Sequence, residues 1–206
     1  MSNPTNFIAR NRAMTIGLFG GSFNPAHHGH LHVANCGLQR LGLDKIWWMV
    51  SPQNPLKPTQ PPYEERVASV RALDLPPRMH INHMEREFGT NYTVQTLRRA
   101  RKKWPRHHFV YLMGADNLRQ LPRWQGWREI METVPIAVIA RPGQKTSDTL
   151  KTRLSQAARM YSYARIPEQQ AHTLGAYSAP AWTYLTPPLN PLSSSAIRNR
   201  AAINQT

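Results

Sequence analysis

Short, nearly unbroken apolar runs alternate with longer amphipathic stretches along this chain. Thr15–Phe19 (TIGLF), Ile46–Val50 (IWWMV), Phe109–Met113 (FVYLM) and Ile136–Ala140 (IAVIA) are too short for helices and carry no polar alternation. That pattern predicts strands buried on both faces. Weaker runs predict further strands at Met79–Asn82 and Ala181–Leu185. Between them, helical spacing predicts a helix over His28–Leu41, with Leu31, Ala34, Leu38 and Leu41 on one face and Gly42 as its stop. Further helices are expected at Tyr63–Leu73, Thr93–Trp104, Trp127–Met131, Thr149–Tyr163 and Ser194–Ile203. The segment SPQNPLKPTQPP reads as a stiff loop because five of its twelve residues are proline. Strand–helix alternation with continuous apolar strands predicts a doubly wound α/β fold, a mainly parallel sheet with helices on both faces. Residues 1–13 read as a polar tail, and residues 14–206 as one domain.

Composition narrows the setting. A length of 206 residues suits one domain with a sizeable core. The single cysteine, Cys36, excludes an internal disulfide framework and is expected to be buried and inert on the apolar side of the first helix. No uncharged apolar run approaches the ~20 residues of a membrane span. The N-terminus has no signal-peptide core, so a cytoplasmic location is expected. Charge adds a new fact: 26 Lys+Arg stand against 11 Asp+Glu, a formal net charge of +15. Such an excess points to an anionic partner: nucleic acid, an anionic membrane or a small polyphosphate. Composition does not choose among them.

In doubly wound sheets, ligands lie beyond the C-terminal strand ends. Four distinctive segments are expected there: GGSFNPAHHGH, SPQNPLK, GADN and SSSAIR. In the first, Gly20 and Gly21 allow close backbone approach, Ser22 offers a hydroxyl, and the following helix aims its amides at an anion. His27 and His30 can project together from that helix start, with Gly29 between them. The segment is neither a Walker A loop nor a G-x-G-x-x-G turn, and the chain has no H-E-x-x-H and no G-x-S-x-G elbow. Two other readings stay open: a zinc site built from His27, His28, His30 and His32, or plain structural histidines.

The H-x-G-H of His27-His28-Gly29-His30 resembles that of the nucleotidyltransferase superfamily. With SPQNPLK, NYTVQTL, LMGADNL followed by LPRW, and LSSSAIR in order, the stretch from Thr15 to Arg200 resembles the bacterial nicotinate-nucleotide adenylyltransferase family. Asn24 stands where many members carry Asp, Leu56 where the loop often has His, and Ser195 where Thr is common. The resemblance implies transfer of the adenylyl group of ATP to nicotinate mononucleotide, giving deamido-NAD and pyrophosphate. It implies catalytic roles for His27, His30, Lys57 and Arg198 on the phosphates. Gly20, Gly21, Ser22, Phe23, Ser194 and Ser195 would complete the ATP site. Asn24, Thr93, Asp116 and Trp124 would bind the acceptor, Trp124 by stacking on the pyridine ring. Mg²⁺ would be held mainly through ATP oxygens, with no protein metal site. A surrounding polyphosphate would favour the imidazolium form of either histidine.

Competing assignments accompany these. Asp116 could instead cap a turn, and Trp124 could be ordinary packing. The run Arg98–Arg106, six basic residues, is either a solvated helix face or a polyanion-steering patch. The acceptor could be nicotinamide mononucleotide or pantetheine phosphate. In a different class, the chain could be a basic nucleic-acid-binding protein. Against that reading, its aromatics are not interleaved with the basic run, and no RRM-, KH- or zinc-finger-type signature is present. The expected partners are therefore small-molecule substrates, with no nucleic acid and no membrane.

Overall fold

A computed structural model describes residues 13–53, 60–140 and 146–186. Its strands are β1 (Thr15–Gly21), β2 (Lys45–Val50), β3 (Met79–Ile81), β4 (His108–Gly114), β5 (Ile136–Ile139), β6 (Arg165–Ile166) and β7 (Trp182–Leu185). They form one sheet of order β3-β2-β1-β4-β5-β7-β6, and every pairing is parallel. The helices are α1 (His28–Arg40), α2 (Tyr63–Arg71), α3 (Met84–Glu87), α4 (Thr93–Lys103), α5 (Ala115–Gln120), α6 (Trp127–Thr133), α7 (Thr146–Arg153) and α8 (Gln156–Met160).

The sheet has an apolar cluster on each face. On one, Ile16 and Leu18 of β1 meet Val94 and Leu97 of α4, Leu118 of α5, Ile130 of α6 and Ala157 of α8. On the other, Phe19 and Leu112 meet Val33, Ala34 and Cys36 of α1 together with Val67 and Val70 of α2. Successive residues of β1 thus serve opposite cores, which is why its sequence is apolar without alternation. The doubly wound architecture is as the hydrophobic pattern predicts.

Several boundaries differ from expectation. Helix α1 buries Val33, Ala34, Cys36 and Gly37, while Leu31 and Leu38 lie only partly buried at the cluster's edge. The reason is close approach: a Cβ on Gly37 would lie 3.2 Å from a Leu112 methyl and 3.6 Å from one of Ile139. Of the expected stripe, Ala34 and Leu41 are buried, while Leu31 and Leu38 give way to the smaller Cys36 and Gly37. Gly42 takes the left-handed φ of 62° expected of a helix stop. The single polar helix expected over Thr149–Tyr163 is broken into α7, α8 and a 3₁₀ turn at Ser162–Ala164. The break falls at Ser155, whose extended backbone (φ −63°, ψ 158°) caps α8. Strand β6, helices α3 and α5, and the 3₁₀ segment Glu168–Ala176 were not anticipated. The expected tail and the expected helix over Ser194–Ile203 lie outside the described residues.

Gly37→Val should overpack the α1–sheet contact and cost about 1–3 kcal/mol. Urea unfolding monitored by circular dichroism should show the lowered midpoint with an unchanged slope.

Candidate active site

The strand order reverses between β1 and β4, so the loops leaving these neighbouring strands depart toward opposite faces. That reversal opens a crevice at their C-terminal ends. Gly20 and Gly21 end β1 and residues 22–30 follow it, while Gly114 ends β4 and Ala115-Asp116-Asn117 follows.

The glycine pair has a structural use of its own. A Cβ on Gly20 would lie 2.8 Å from Tyr111 Oη, and one on Gly21 would lie 3.0 Å from the Phe23 ring. Phe23 holds φ at 44°, a costly value for a non-glycine residue. Its buried ring offsets that cost by edge contacts to Phe19 at 5.5 Å and His30 at 5.1 Å, and a tilted one to Trp48 at 5.1 Å. The Phe23 ring therefore belongs to the loop's own packing. Ser22 is buried beside it.

His27 is the N-cap of α1, with extended backbone, and its Nδ1 accepts the Gly29 amide at 3.0 Å. Reciprocally, His30 Nδ1 accepts the His27 amide at 3.3 Å. A capping box of this kind is ordinarily built from a Ser/Thr hydroxyl and a Glu/Gln side chain; here two imidazoles build it. Their rings stack at 3.9 Å between centroids, 38° apart. Because Nδ1 accepts in both rings, the tautomer consistent with these bonds carries its proton on Nε2. Each histidine is thus set as a neutral Nε2–H donor. An imidazolium would have to give up its amide tie, which works against the charged form that a polyphosphate favours. Among the described residues no group of three or more His, Cys, Asp or Glu converges as a metal cluster.

Of the expected acceptor residues, Thr93 and the loop that follows Trp124 come together at the start of α4. Tyr111 Oη, which sits against Gly20, shares a hydrogen bond with the Thr93 side chain at the first residue of α4. A Cβ on Gly126 would lie 3.2 Å from Val94, so the Trp124 loop rests on that same helix start. Trp124 is half-buried at the end of a 3₁₀ turn and packs partly on the core, as its packing alternative requires. Asp116 stands inside the first turn of α5, just after the N-cap Gly114. Asn24 is half-buried in the loop. Lys57, Ser194, Ser195 and Arg198 lie outside the described residues.

Sequence reading missed a buried carboxyl beneath this neighbourhood. Glu85 accepts a hydrogen bond from Thr96 Oγ1 at 3.2 Å, and its burial pushes the pKa up to about 7. Burial of the Tyr111 phenol itself, and after it the charge of Glu85, raises the Tyr111 pKa. A tyrosine within the apolar run FVYLM was the legible signal, since a buried hydroxyl needs partners. Of the basic run, Arg98 pairs with Glu129, Arg99 donates to the Phe88 carbonyl, Arg101 to the Thr133 carbonyl at 3.1 Å, and Lys103 to Glu87 at 3.2 Å. Four of its six cations are therefore engaged with α6 and the α3 region.

Residues 18–200 match the cytidylyltransferase-like family. A probable nicotinate-nucleotide adenylyltransferase of Caulobacter sp. is 50% identical over 189 residues, 91% of this chain and 98% of the relative. One of Ruegeria sp. is 48% identical over 190 residues, 92% of this chain and 98% of that protein. The chain belongs to the nicotinate-nucleotide adenylyltransferase family. The fold agrees: the nicotinic acid mononucleotide adenylyltransferase of Plasmodium falciparum, solved in complex with NaAD, superposes with a TM-score of 0.65 at 15% identity, covering 90% of this chain and 83% of that one. In this family member, the two H-x-G-H histidines form the helix cap at the switch point. No helix among the described residues is long and apolar enough to cross a membrane.

Two outcomes test the site's construction. Asn is among the best N-caps, so His27→Asn should keep the thermal midpoint near wild type while turnover collapses. His27→Ala should lose turnover and also about 0.5–2 kcal/mol of stability. The second outcome concerns Glu85. Below about pH 4.5 its carboxyl is protonated in folded and unfolded chains alike. As pH rises toward about 7 the unfolded chain ionises first, so stability falls, and the loss levels off once the folded group ionises too. Glu85→Gln should therefore gain on wild type, by on the order of 3 kcal/mol, between denaturant titrations at pH 4 and pH 8.5.

Proposed function

We propose that this chain joins ATP and nicotinate mononucleotide at the β1–β4 crevice. A phosphate oxygen of the mononucleotide attacks Pα of ATP, the Pα–O bond to Pβ breaks, and deamido-NAD and pyrophosphate form. The observation that supports this reading most is the paired imidazole cap of α1. It puts two directional donors and a helix N-terminus in one place, as an anionic transfer needs. The nucleophile is already an anion, so the protein's task is alignment and charge stabilisation rather than deprotonation.

On the ATP side, His27 and His30 donate from Nε2 to the phosphates, and the neutral tautomer needs no proton shuttle. Lys57 and Arg198 supply full positive charges, and Ser194 and Ser195 add hydroxyl and amide donors. Mg²⁺, held mainly through ATP oxygens with its remaining waters, would accompany the nucleotide. When bound, the ion supplies further shielding of the phosphate charge. On the acceptor side, Thr93 and the first-turn amides of α4 receive the nicotinate carboxylate, favoured by a helix start that carries no acidic residue. Trp124 stacks on the pyridine ring, Asp116 holds ribose hydroxyls, and Asn24 completes the pocket from the opposite loop. The nucleic-acid alternative is weakened by the basic run, whose cations are largely bonded within the protein.

An acceptor screen with pyrophosphate detection tests the assignment. Nicotinate mononucleotide should give deamido-NAD faster than nicotinamide mononucleotide or pantetheine phosphate, and a reversed order would reassign the substrate. Trp124→Ala should raise KM for the mononucleotide by about 2- to 30-fold, the span of a cation–π contact, with a smaller effect on ATP. Equal effects on both substrates would return Trp124 to core packing.

A further inference from the structure

Arg66 lies in the middle of α2 and is only 2% exposed, yet no carboxylate among the described residues pairs with it. An unpaired buried guanidinium is expensive unless its donors are satisfied. Four of its five N–H groups reach backbone carbonyls. Nη1 donates to Ser22 at 2.9 Å and to Ser51 at 2.7 Å, Nη2 to Pro52 at 2.8 Å, and Nε to Pro61 at 3.0 Å. Ser22 belongs to the β1–α1 loop. Ser51 and Pro52 begin the β2–α2 loop, and Pro61 ends it. One side chain thus spans two sheet-end loops and grips the second at both its entrance and its exit.

The next turn of α2 reinforces the grip. Ser69, three residues on, donates to the Arg66 carbonyl at 2.7 Å, and its oxygen accepts the Ala26 amide at 3.0 Å. The same helix face therefore holds residues on either side of Asn24. In a trans peptide the C=O and the following N–H point in opposite directions. Drawing the Ser22 and Pro52 carbonyls onto the guanidinium therefore turns the Phe23 and Gln53 amides away from it.

We propose that Arg66 is a positioning residue for the triphosphate side of the reaction. It fixes the H-x-G-H loop against residues 51, 52 and 61 at the two ends of the β2–α2 loop, so that His27 and His30 are held where the phosphates bind. The role rests on the ATP-site reading above. It needs the planar fork, not the charge alone, because four carbonyls in two loops cannot be spanned by an ammonium.

The test compares Arg66→Lys and Arg66→Ala with wild type, measuring ATP and nicotinate mononucleotide affinities by calorimetry, kcat/KM for each, and thermal midpoints. Arg66→Lys keeps the charge and should still lose roughly 10–100-fold in kcat/KM for ATP, with mononucleotide affinity within about twofold of wild type. Millimolar methylguanidinium should restore ATP binding to Arg66→Ala and leave Arg66→Lys unchanged. Wild-type ATP binding by a folded Arg66→Lys, or parallel loss of both ligands, would overturn the role. If wild type binds ATP but makes no deamido-NAD, the acceptor assignment falls and the ATP-binding comparison still decides the role of Arg66.

Discussion

Parallel strands cannot be joined by tight turns, and this constraint shapes everything at the site. Each strand of the sheet must hand the chain to a crossover that returns to the opposite end. β1 lies centrally, paired on both sides, so its exit loop emerges in the middle of the C-terminal edge. β2 lies to one side and β4 to the other, and the helices that follow β1 and β4 cover opposite faces. The crevice is therefore a consequence of chain order, present before any particular residue is placed in it. What the residues add is rigidity. Phe23 is held at positive φ by three aromatic neighbours, and Tyr111 fills the space that Gly20 leaves.

The same two histidines then serve two purposes through opposite edges of one ring. Nδ1 replaces the hydroxyl or carboxylate of an ordinary helix cap, and that bond selects the tautomer in which Nε2 is the donor. Stability and chemistry are coupled at the level of a single proton. The arrangement also explains a feature of the sequence: no Ser, Thr, Asp or Asn stands where α1 begins, although such residues are the usual solution.

All the described strands but β6, the two-sided burial of the central ones, and the starts of α1, α2, α4 and α6 were legible because each is written in local apolar spacing. The site's first loop was legible because glycine pairs and H-x-G-H are rare and sit after a strand. What escaped depends on contacts between distant segments. Gly37 was unremarkable in sequence, yet it sets how close α1 comes to the sheet, so the buried face takes in Cys36 and Gly37 with Ala34 and Leu41 and leaves Leu31 and Leu38 at its edge. Arg66 sits beside Val67 and Val70 as an ordinary helical arginine would, and only the meeting of residues 22, 51, 52 and 61 gives it a role. Glu85 reads as one acid in a charged MERE segment until Thr96, eleven residues on, closes over it. Lys57 and the serine–arginine segment of residues 193–198 were legible only by resemblance, and they lie outside the described residues.

Two buried charged-type groups, Arg66 and Glu85, clarify what the large positive charge does and does not do. Arg66 stands behind the loops assigned to ATP, and its charge is shared among four carbonyl oxygens rather than balanced by an acid. Glu85 stands behind the helix start assigned to the acceptor carboxylate. A permanently ionised acid there would oppose an anionic ligand through a medium of low dielectric. Burial prevents this by raising its pKa toward neutrality, so the pocket can contain a carboxyl without carrying its full charge. Surface cations such as Arg98 and Lys103 are screened by salt and bonded to nearby acids. The net charge of +15 is therefore a poor guide to the field at the site.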